Sequence, residues 1–358
     1  MSIPNTSASS ALRSSAVPGV TRFRWPELAG PVVVVVALTY LVSSLGASSS
    51  FLVQGTLVTL VMVLALQVFI GNSGVLSFGQ AAFAMVGGFA SGLATAPVTI
   101  KENVLSDLWG PLKTLSMGLW PSLLLAVVVG MIVAFISGLF LMRLNGLSAG
   151  IATFALLMVA DNVFFNWRKI GPGPQVLPQV PKFQFVDEAL ALAVIALVVV
   201  YFMGISRRGR LLRATREDGL AARALGTSVW RLRVLFFTVS GGVAALSGAM
   251  YSHHAGAVSA RDFYLGFTFT TLAMLVIGGV ASVWGAVVGT LVVAAIGEVL
   301  LRFEQGVEIG NVLIYLPNGA RGVAIAAALV VMLIWRQRGL TGGREFSFPR
   351  FGRWANRL

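Results

Sequence analysis

Two acidic side chains lie inside apolar stretches of this sequence, where an ionised group is expected to have a function. Asp161 and Glu298 each interrupt a long hydrophobic run. Inside a membrane, such a residue costs roughly 2.5–3.5 kcal/mol at mid-helix on insertion scales, so it is a functional candidate by default. Asp161 can instead be an interfacial acid near the end of its run. Glu298 can instead pair with Arg302, one helical turn further on.

A glycine-rich segment carries two further polar candidates, Ser77 and Gln80. Their side chains could line a polar path between helices. The neighbouring Gly79, Gly87 and Gly88 favour a second interpretation, in which this segment serves close helix packing. The sequence alone leaves both open. The candidate residues for a translocation path are therefore Ser77, Gln80, Asp161 and Glu298.

The chain offers little for catalysis or metal binding. His253 and His254 are adjacent, and neighbours in sequence point to different sides of a helix, so they form a poor chelate. The absence of cysteine excludes disulfides, thiolate metal sites and cysteine nucleophiles. No cluster of histidines and acids suggests an intramembrane enzyme. We therefore expect no catalytic residue and no metal site.

No phosphate loop of the Gly-x-x-x-x-Gly-Lys-Ser/Thr type occurs in the sequence. The lysines all fall between apolar runs, at Lys101, Lys113, Lys169 and Lys182. The chain is therefore expected to hold no cofactor and not to bind ATP in the P-loop manner. Any ATP and Mg²⁺ would belong to another polypeptide.

A strongly basic segment, residues 205–233, interrupts the apolar second half of the chain; we call it the arginine segment. Its acids are Glu217 and Asp218, and its arginines are Arg207, Arg208, Arg210, Arg213, Arg216, Arg223, Arg231 and Arg233. Such a segment cannot lie in hydrocarbon, and its sign predicts a cytoplasmic position.

The arginine segment also has the pattern of a short helix. Thr215 followed three residues later by Asp218 predicts a helix start of capping-box type, with Glu217 and Asp218 at the favourable end of the helix dipole. Good helix formers follow, and Gly226 predicts the stop. The small Ala221 and Ala222 would let a partner surface approach closely. An inert amphipathic loop helix is the alternative.

The composition requires lipid as the surrounding solvent. The chain is 57% hydrophobic and 11% charged, with a mean hydropathy of +0.87, and a soluble protein of 358 residues could not hide that much apolar surface. The net charge of +13 comes from loops and tails beside apolar runs. There it serves topology and contact with anionic lipid rather than binding of nucleic acid.

The apolar runs predict an all-α polytopic membrane protein with about ten transmembrane helices. They lie near 29–46, 52–71, 78–97, 118–142, 147–166, 186–204, 234–252, 265–282, 284–302 and 319–336. The third is rich in glycine, which suggests a broken or re-entrant helix, and the last is polar at one end. Five spans on each side of an outer loop would allow two inverted halves.

The basic residues predict the orientation. With the N-terminus in the cytoplasm, most of the 26 lysines and arginines fall on the inner side, as the positive-inside rule requires. Residues 1–28 then form a cytoplasmic tail, 29–336 a membrane domain with the arginine segment as its cytoplasmic loop, and 337–358 a basic cytoplasmic tail. Both termini are expected inside.

Four stretches together resemble branched-chain amino acid ABC transporter permeases. They are residues 209–226, residues 71–80 with Phe83 following, residues 236–251 and residues 274–289. The resemblance covers most of residues 50–342 in the right order. Where relatives often have a Thr-Gly-Gly-x-x-Gly turn, this chain has Gly171-Pro-Gly-Pro-Gln175, and a Pro-x-Gly-Leu turn reads Gln337-Arg-Gly-Leu340.

The resemblance implies an assembly and a role for the arginine segment. It implies two cytoplasmic ATP-binding subunits, a second related permease and an external solute-binding protein, in a bacterial inner membrane. The arginine segment would be the coupling helix that docks on an ATPase. Its small residues Ala221, Ala222 and Gly226 match the importers' Glu-Ala-Ala-x-x-x-Gly loop, with Leu220 in place of the glutamate. The residues expected to couple are Arg216, Glu217, Asp218, Ala221, Ala222 and Gly226.

The resemblance implies import of a branched-chain amino acid, and two alternatives stay open. Related permeases carry urea or short amides, and the departure at residues 171–175 lies on the expected outer face. A secondary transporter or channel working without ATPases would need embedded ion-coupling residues. Asp161 and Glu298 are the two candidates for that role.

Overall fold

A computed structural model describes residues 25–345, except residues 106, 225, 310, 311, 315, 318 and 337. The predicted tails, 1–28 and 337–358, therefore lie largely outside the described residues. The regular secondary structure of the described part is helical, apart from one short hairpin between the last two membrane helices.

The described first half of the chain forms seven helices, of which the fourth and fifth are the shortest. They are α1 (Trp25–Ser43), α2 (Ala47–Leu66, continued by a π-helical turn, Gln67–Gly71), α3 (Gln80–Thr95), α4 (Val98–Val104), α5 (Gly110–Thr114), α6 (Leu119–Leu141) and α7 (Gly146–Asn166). The short α4 and α5 lie in the connection that the sequence predicts on the outer side.

The second half repeats this organisation and adds two helices within the arginine segment. Its elements are α8 (Val186–Ile205), α9 (Arg207–Glu217), α10 (Gly219–Ala224), α11 (Val229–Ala255), a 3₁₀ turn (Ala260–Phe263), α12 (Leu265–Gly278), α13 (Val283–Gln305), β1 (Val307–Ile309), β2 (Val312–Ile314) and α14 (Ala320–Trp335). The two strands pair antiparallel, with Val307 opposite Ile314.

Each of the ten predicted spans overlaps one of these helices, which confirms the all-α membrane fold. Among the described residues, eight helices are long and apolar enough to cross a membrane. The other two, α3 and α14, have 16 residues each. They correspond to the third and tenth predicted spans, and residues 74–78 before α3 are not helical.

Loops gather at two ends of the helix bundle. At one end, the arginine segment meets the turn between α2 and α3, where Arg213 donates to Asn72. At the other end, the loop after α7 pairs with the loop after α11, through mutual backbone hydrogen bonds between Leu177 and Val258. This alternation agrees with ten crossings. We call the end with the arginine segment the inner end, following the predicted orientation.

Helices α2, α3 and α11 form the buried centre of the bundle, and small residues allow their close approach. A Cβ atom on Gly248 of α11 would overlap the carbonyl oxygen of Ala84, and one on Gly87 would overlap that of Ala245. Glycine packing of this kind brings backbones together in membranes. The packing interpretation of the glycine-rich segment is therefore confirmed for Gly87.

Serine hydroxyls of α11 bind across to α2 within this centre. Ser240 Oγ donates to the carbonyl oxygen of Ala65 at 2.7 Å, and Ser247 Oγ donates to that of Val58 at 2.9 Å. Both serines are fully buried. Hydrogen bonds of this type between membrane helices contribute about 0.6 kcal/mol on average. They fix α11 against α2 along two turns of each helix.

The helix lengths fit two inverted halves. The second long helix of each half has 25 residues (Ala47–Gly71) or 27 residues (Val229–Ala255) and is deeply buried. A short helix follows each, α3 with 16 residues and α12 with 14. The same order of long and short helices therefore occurs on opposite courses through the bundle.

Candidate coupling surface and translocation path

The arginine segment folds into two helices joined at a bend. Ser206 begins α9, where its hydroxyl oxygen accepts a hydrogen bond from the backbone N–H of Gly209 at 3.0 Å. Helix α9 ends at Glu217 because Asp218 adopts an extended backbone, with φ −146°. The six residues of α10 follow. The arginine segment therefore contains two helices, of 11 and 6 residues, where the sequence predicted one short helix between Thr215 and Gly226.

The predicted capping box at Thr215 is wrong. Thr215 lies in the last turn of α9, and its hydroxyl donates to the carbonyl oxygen of Leu212 at 2.7 Å. Glu217 consequently ends a helix instead of beginning one. The true start is Ser206, a good N-cap residue directly after the apolar run of α8. That position was the signal that sequence reasoning missed.

Gly226 closes α10 as predicted. Its φ is +77°, a left-handed value that glycine adopts without strain. The N–H of Gly226 donates to the carbonyl of Arg223 at 2.9 Å, and the N–H of Thr227 donates to that of Ala222 at 3.1 Å. This pair of bonds is a Schellman motif. Ser228 stands at the N-cap position of α11 without a side-chain capping bond.

The exposed part of α10 differs from the prediction. Ala222 has only 7% of its surface exposed, so its side chain packs within the chain and is not available to a partner. Arg223, Ala224 and Gly226 are exposed. Ala221 belongs to α10 by its backbone, and its side chain lies outside the described part. The accessible surface of α10 therefore lies at its C-terminal end.

Helix α9 holds the inner turn between α2 and α3 through two arginines. Arg213 Nη1 donates to Asn72 Oδ1 at 2.6 Å and to the carbonyl oxygen of Gly204 at 2.9 Å. Arg216 Nη1 donates to the carbonyl oxygen of Gly71 at 3.3 Å. The stem of Arg216 covers Gly74, where a Cβ atom would lie 2.8 Å from its Cγ. Arg216 therefore acts within the chain.

The last described residues hold the inner turn between α12 and α13. The Glu345 carboxylate accepts hydrogen bonds from the backbone N–H groups of Val283, at 2.9 Å, and Trp284, at 3.2 Å. The backbone N–H of Leu340 donates to the carbonyl oxygen of Ile277 at 2.8 Å. Glu345 thus caps the beginning of α13.

Burial raises the pKa of the Glu345 carboxyl above its ordinary value. The two backbone N–H donors oppose that rise, Glu27 adds to it, and Arg213 opposes it. Arg213, the arginine of α9 that binds Asn72, therefore interacts electrostatically with this carboxylate. Sequence reasoning missed Glu345, because a lone acid in a basic tail gives no periodic signal.

The candidate path residues separate into three places. Ser77 and Gln80 lie fully buried at the inner end of α3. Ser77 Oγ accepts from the N–H of Gly79 at 3.4 Å, whereas neither polar side-chain atom of Gln80 has a partner among the described residues. Asp161 lies at an outer cavity of about 440 Å³ that Arg261 also lines. Glu298 lies elsewhere, on α13.

Glu298 pairs with Arg302, as the sequence suggested. The Nε of Arg302 lies 3.0 Å from Glu298 Oε1. Glu298 also lines a groove of about 350 Å³ on the outer half of the bundle, which we call the outer groove. The outer groove further contains Phe51, His254 and Arg321, which sequence reasoning did not connect with Glu298.

The two adjacent histidines point to different places, as predicted. His253 is buried, with Nε2 2.8 Å from Ser91 Oγ and Nδ1 2.7 Å from the carbonyl oxygen of Pro181. His254 stacks on Phe51 in the outer groove, with 4.1 Å between ring centroids. The part of the chain that the structure describes contains no group of three or more histidines, acids or cysteines placed to hold a metal.

Comparison with known families agrees with this architecture. The family described as "Branched-chain amino acid transport system / permease component" matches residues 48–318. That range begins in α2, includes the arginine segment and extends past the β-hairpin. No solved structure matches the chain.

Individual relatives are also named as permease proteins of transport systems. The chain is 25% identical to the high-affinity branched-chain amino acid transport system permease protein LivM of Salmonella typhimurium, over 86% of this chain and 73% of the relative. It is 24% identical to LivM of Escherichia coli, over 80% of this chain and 68% of the relative. The autoinducer 2 import system permease protein LsrC of Yersinia pestis is 26% identical over 60% of each chain.

Fold, family match and relatives agree on a multi-pass membrane protein with a transport role. A permease component of this kind is not itself an enzyme. The match covers most of the chain, including the membrane helices from α2 to α13 and the segment between α8 and α11. The chain belongs to the family of branched-chain amino acid ABC transporter permeases.

Proposed function

We propose that this chain is the translocation subunit of an ATP-driven importer that brings branched-chain amino acids across the bacterial inner membrane. The observation that carries the proposal is the family match, which covers residues 48–318, from α2 through the arginine segment to the end of the β-hairpin. The proposed partners are two cytoplasmic ATP-binding subunits that hold ATP and Mg²⁺, a second related permease and an external solute-binding protein.

The contacts of α9 support a mechanical role for the arginine segment. In the proposal, an ATPase docks on the exposed end of α10 and on the bend at Glu217 and Asp218. Movement of α9 then acts on the α2–α3 turn through the bonds of Arg213 and Arg216. Since packed helices and hydrogen-bonded networks carry coupling between distant sites, this path reaches the buried centre directly.

Of the residues first expected to couple, some are exposed, and others contact residues of this chain. Glu217, Asp218 and Gly226 are exposed, and in the proposal they belong to the docking surface. Ala222 supports the fold of α10, because it is buried. Arg216 joins α9 to the α2–α3 turn by its bond to Gly71.

Uptake by the complete complex in proteoliposomes tests the proposal. Radiolabelled leucine should accumulate only when ATP is present on the ATPase side and the loaded solute-binding protein is present on the other. Uptake by the purified chain alone, driven by a proton or sodium gradient, would instead establish a secondary transporter. A catalytically inactive ATPase variant serves as the control, and it should abolish accumulation.

Competition defines the substrate class. Unlabelled isoleucine and valine should suppress leucine uptake, whereas urea and acetamide should not. Suppression by urea or acetamide alone would assign the chain to the short-amide branch of the family. Because one relative is named for autoinducer 2 import, that compound belongs in the same panel.

A further inference from the structure

Two opposite charges face the outer groove. Glu298 on α13 and Arg321 on α14 both line it. The Arg321 guanidinium lies over Gly297, where a Cβ atom would be 3.0 Å from its Nε. Gly297 directly precedes Glu298, so the acid and the base lie at one level of α13. A lining of this kind offers one site for a cation and one for an anion.

Both charges retain binding capacity. Arg302 occupies Oε1 of Glu298, and Oε2 has no hydrogen-bond partner among the described residues. The backbone N–H of Arg321 donates to Glu304 Oε1 at 2.8 Å, whereas its guanidinium has no such partner among the described residues. Carboxylates accept several hydrogen bonds, and guanidinium groups bind carboxylates through two parallel donors.

Most of the remaining lining of the outer groove is apolar, with Tyr251 and His254 as polar members. Phe51, Phe267 and Met274 contribute rings and a thioether to its wall. Two threonines also line it, and both hydroxyls already donate to carbonyl oxygens of α2, that of Thr56 to Leu52 at 2.9 Å and that of Thr59 to Gly55 at 3.2 Å.

The position of the outer groove suits an incoming solute. Glu298 lies seven residues before the end of α13 at Gln305, or about 10 Å from the outer end of that helix. A volume of about 350 Å³ is within the usual range for small-molecule sites. An acid, a base and apolar walls together fit a zwitterion with an apolar side chain.

We propose that the outer groove is a transient subsite for an α-amino acid with an apolar side chain. Its α-ammonium binds Glu298, its carboxylate binds Arg321, and its side chain packs against Phe51, Phe267 and Met274. The proposal rests on the importer function above and adds the place in this chain where the solute first leaves its binding protein. A lipid chain would fill apolar walls but would use neither charge.

Transport kinetics of the complete complex provide one test. In Glu298→Gln and Arg321→Gln, the maximal rate of leucine uptake should fall at least about tenfold, because a charge-assisted hydrogen bond contributes roughly 1.5–3 kcal/mol and 1.4 kcal/mol is tenfold. The apparent KM for the loaded solute-binding protein should not change, since the variants leave its docking surface intact. Glu102→Gln and Arg336→Gln, at exposed charges that do not line the outer groove, are matched controls and should import at the wild-type rate.

Direct binding provides a second test that does not depend on transport. The complete membrane complex without the solute-binding protein is titrated with leucine, with leucinamide, which lacks the carboxylate, and with 4-methyl-2-oxopentanoate, which lacks the ammonium group. Arg321→Gln should weaken leucine binding about tenfold or more and leucinamide binding much less, since the neutral amide can accept a hydrogen bond but cannot form the ion pair of two parallel bonds with the guanidinium. Glu298→Gln should weaken leucine binding and leave the binding of 4-methyl-2-oxopentanoate unchanged, because that compound has no ammonium group to bind the carboxylate.

The outcomes separate this proposal from the proposed function. If the wild-type complex imports leucine and both variants import it equally well, the subsite is wrong and the importer function stands. Equal weakening of all three compounds in either variant also overturns the subsite, because it indicates a structural effect. If the wild-type complex imports no amino acid, the importer function fails, whereas the charge-matched binding pattern still decides the subsite.

Discussion

Glu345 shows how one side chain can join distant parts of this fold. Its carboxylate closes the first turn of α13, and burial raises its pKa above the ordinary value of 4.5. Arg213, which holds the α2–α3 turn, acts on the same carboxylate from α9. The inner turns of both halves of the bundle therefore meet through these two charges.

The raised pKa predicts the direction of a pH effect on stability. A carboxyl whose pKa is higher in the folded state favours folding most when it is protonated, so its contribution is full below about pH 4.5 and is lost as the pH rises through the folded pKa. Glu345→Gln should remove that part of the pH dependence, because an amide does not titrate. Thermal unfolding in detergent between pH 4.5 and 8 measures it.

Two further variants interpret that result. Glu345→Ala removes the acceptor for Val283 and Trp284 and should cost about 0.5–2 kcal/mol at every pH, as loss of a helix cap does. Glu102→Gln, at an exposed acid, should leave the pH profile unchanged. An unaltered slope in Glu345→Gln would show that another group carries the dependence.

Residue roles were predictable from sequence only where the partners are near in the chain. The pairing of Glu298 with Arg302 follows from helical spacing, and the structure has it at 3.0 Å. The meeting of Glu298 with Arg321 crosses a hairpin and a helix end, and that of Glu345 with Val283 spans more than 60 residues. No period in the sequence marks such contacts, because tertiary packing alone creates them.

At the scale of elements, apolar length predicted the membrane helices well and the arginine segment poorly. Each long run must satisfy its backbone internally in lipid, which leaves helix as the outcome. The arginine segment is too polar for lipid, so apolar length does not define its helices, and more than one residue could begin a helix there. Ser206 begins the helix because Leu212 and Thr215 then face the bundle, and both are buried.

The accessible end of α10 predicts where coupling can be disrupted. Ala224→Trp adds a large ring at an exposed position, so it should leave the fold intact and reduce ATP-dependent leucine uptake by about tenfold or more while ATP hydrolysis continues. Ala47→Trp is the matched control, because Ala47 is an exposed alanine at the outer end of α2. Uptake that is equal in the two variants would remove α10 from the docking surface.

Two variants of Gly226 distinguish an effect on folding from an effect on docking at the end of α10. Gly226→Asn keeps a residue that tolerates the left-handed φ of +77°, whereas Gly226→Val does not. The valine variant should therefore lose about 1 kcal/mol or more of stability and the asparagine variant less. If both lose uptake equally at equal stability, the effect comes from the docking surface.

For the whole molecule, the repeated order of long and short helices suggests how the bundle could move. Helices α2 and α11 are the two most deeply buried of the eight long membrane helices, and each leads into a short helix through an irregular turn. Helix α9 holds the turn after α2, and the segment with Glu345 holds the turn between α12 and α13. Force applied to the arginine segment therefore acts on both halves at the inner end.

This scheme depends on which side of the membrane the arginine segment faces, and the absence of cysteine makes that measurable. Single substitutions Arg223→Cys and Gln175→Cys place one thiol at each end of the bundle, both at exposed positions. A membrane-impermeant maleimide added to intact cells should label Gln175→Cys and not Arg223→Cys, because the positive-inside rule puts the arginine segment in the cytoplasm. Permeabilised cells should label both, which controls for reactivity. Labelling of Arg223→Cys from outside would reverse the orientation, and a segment outside the cell could not receive work from cytoplasmic ATPases.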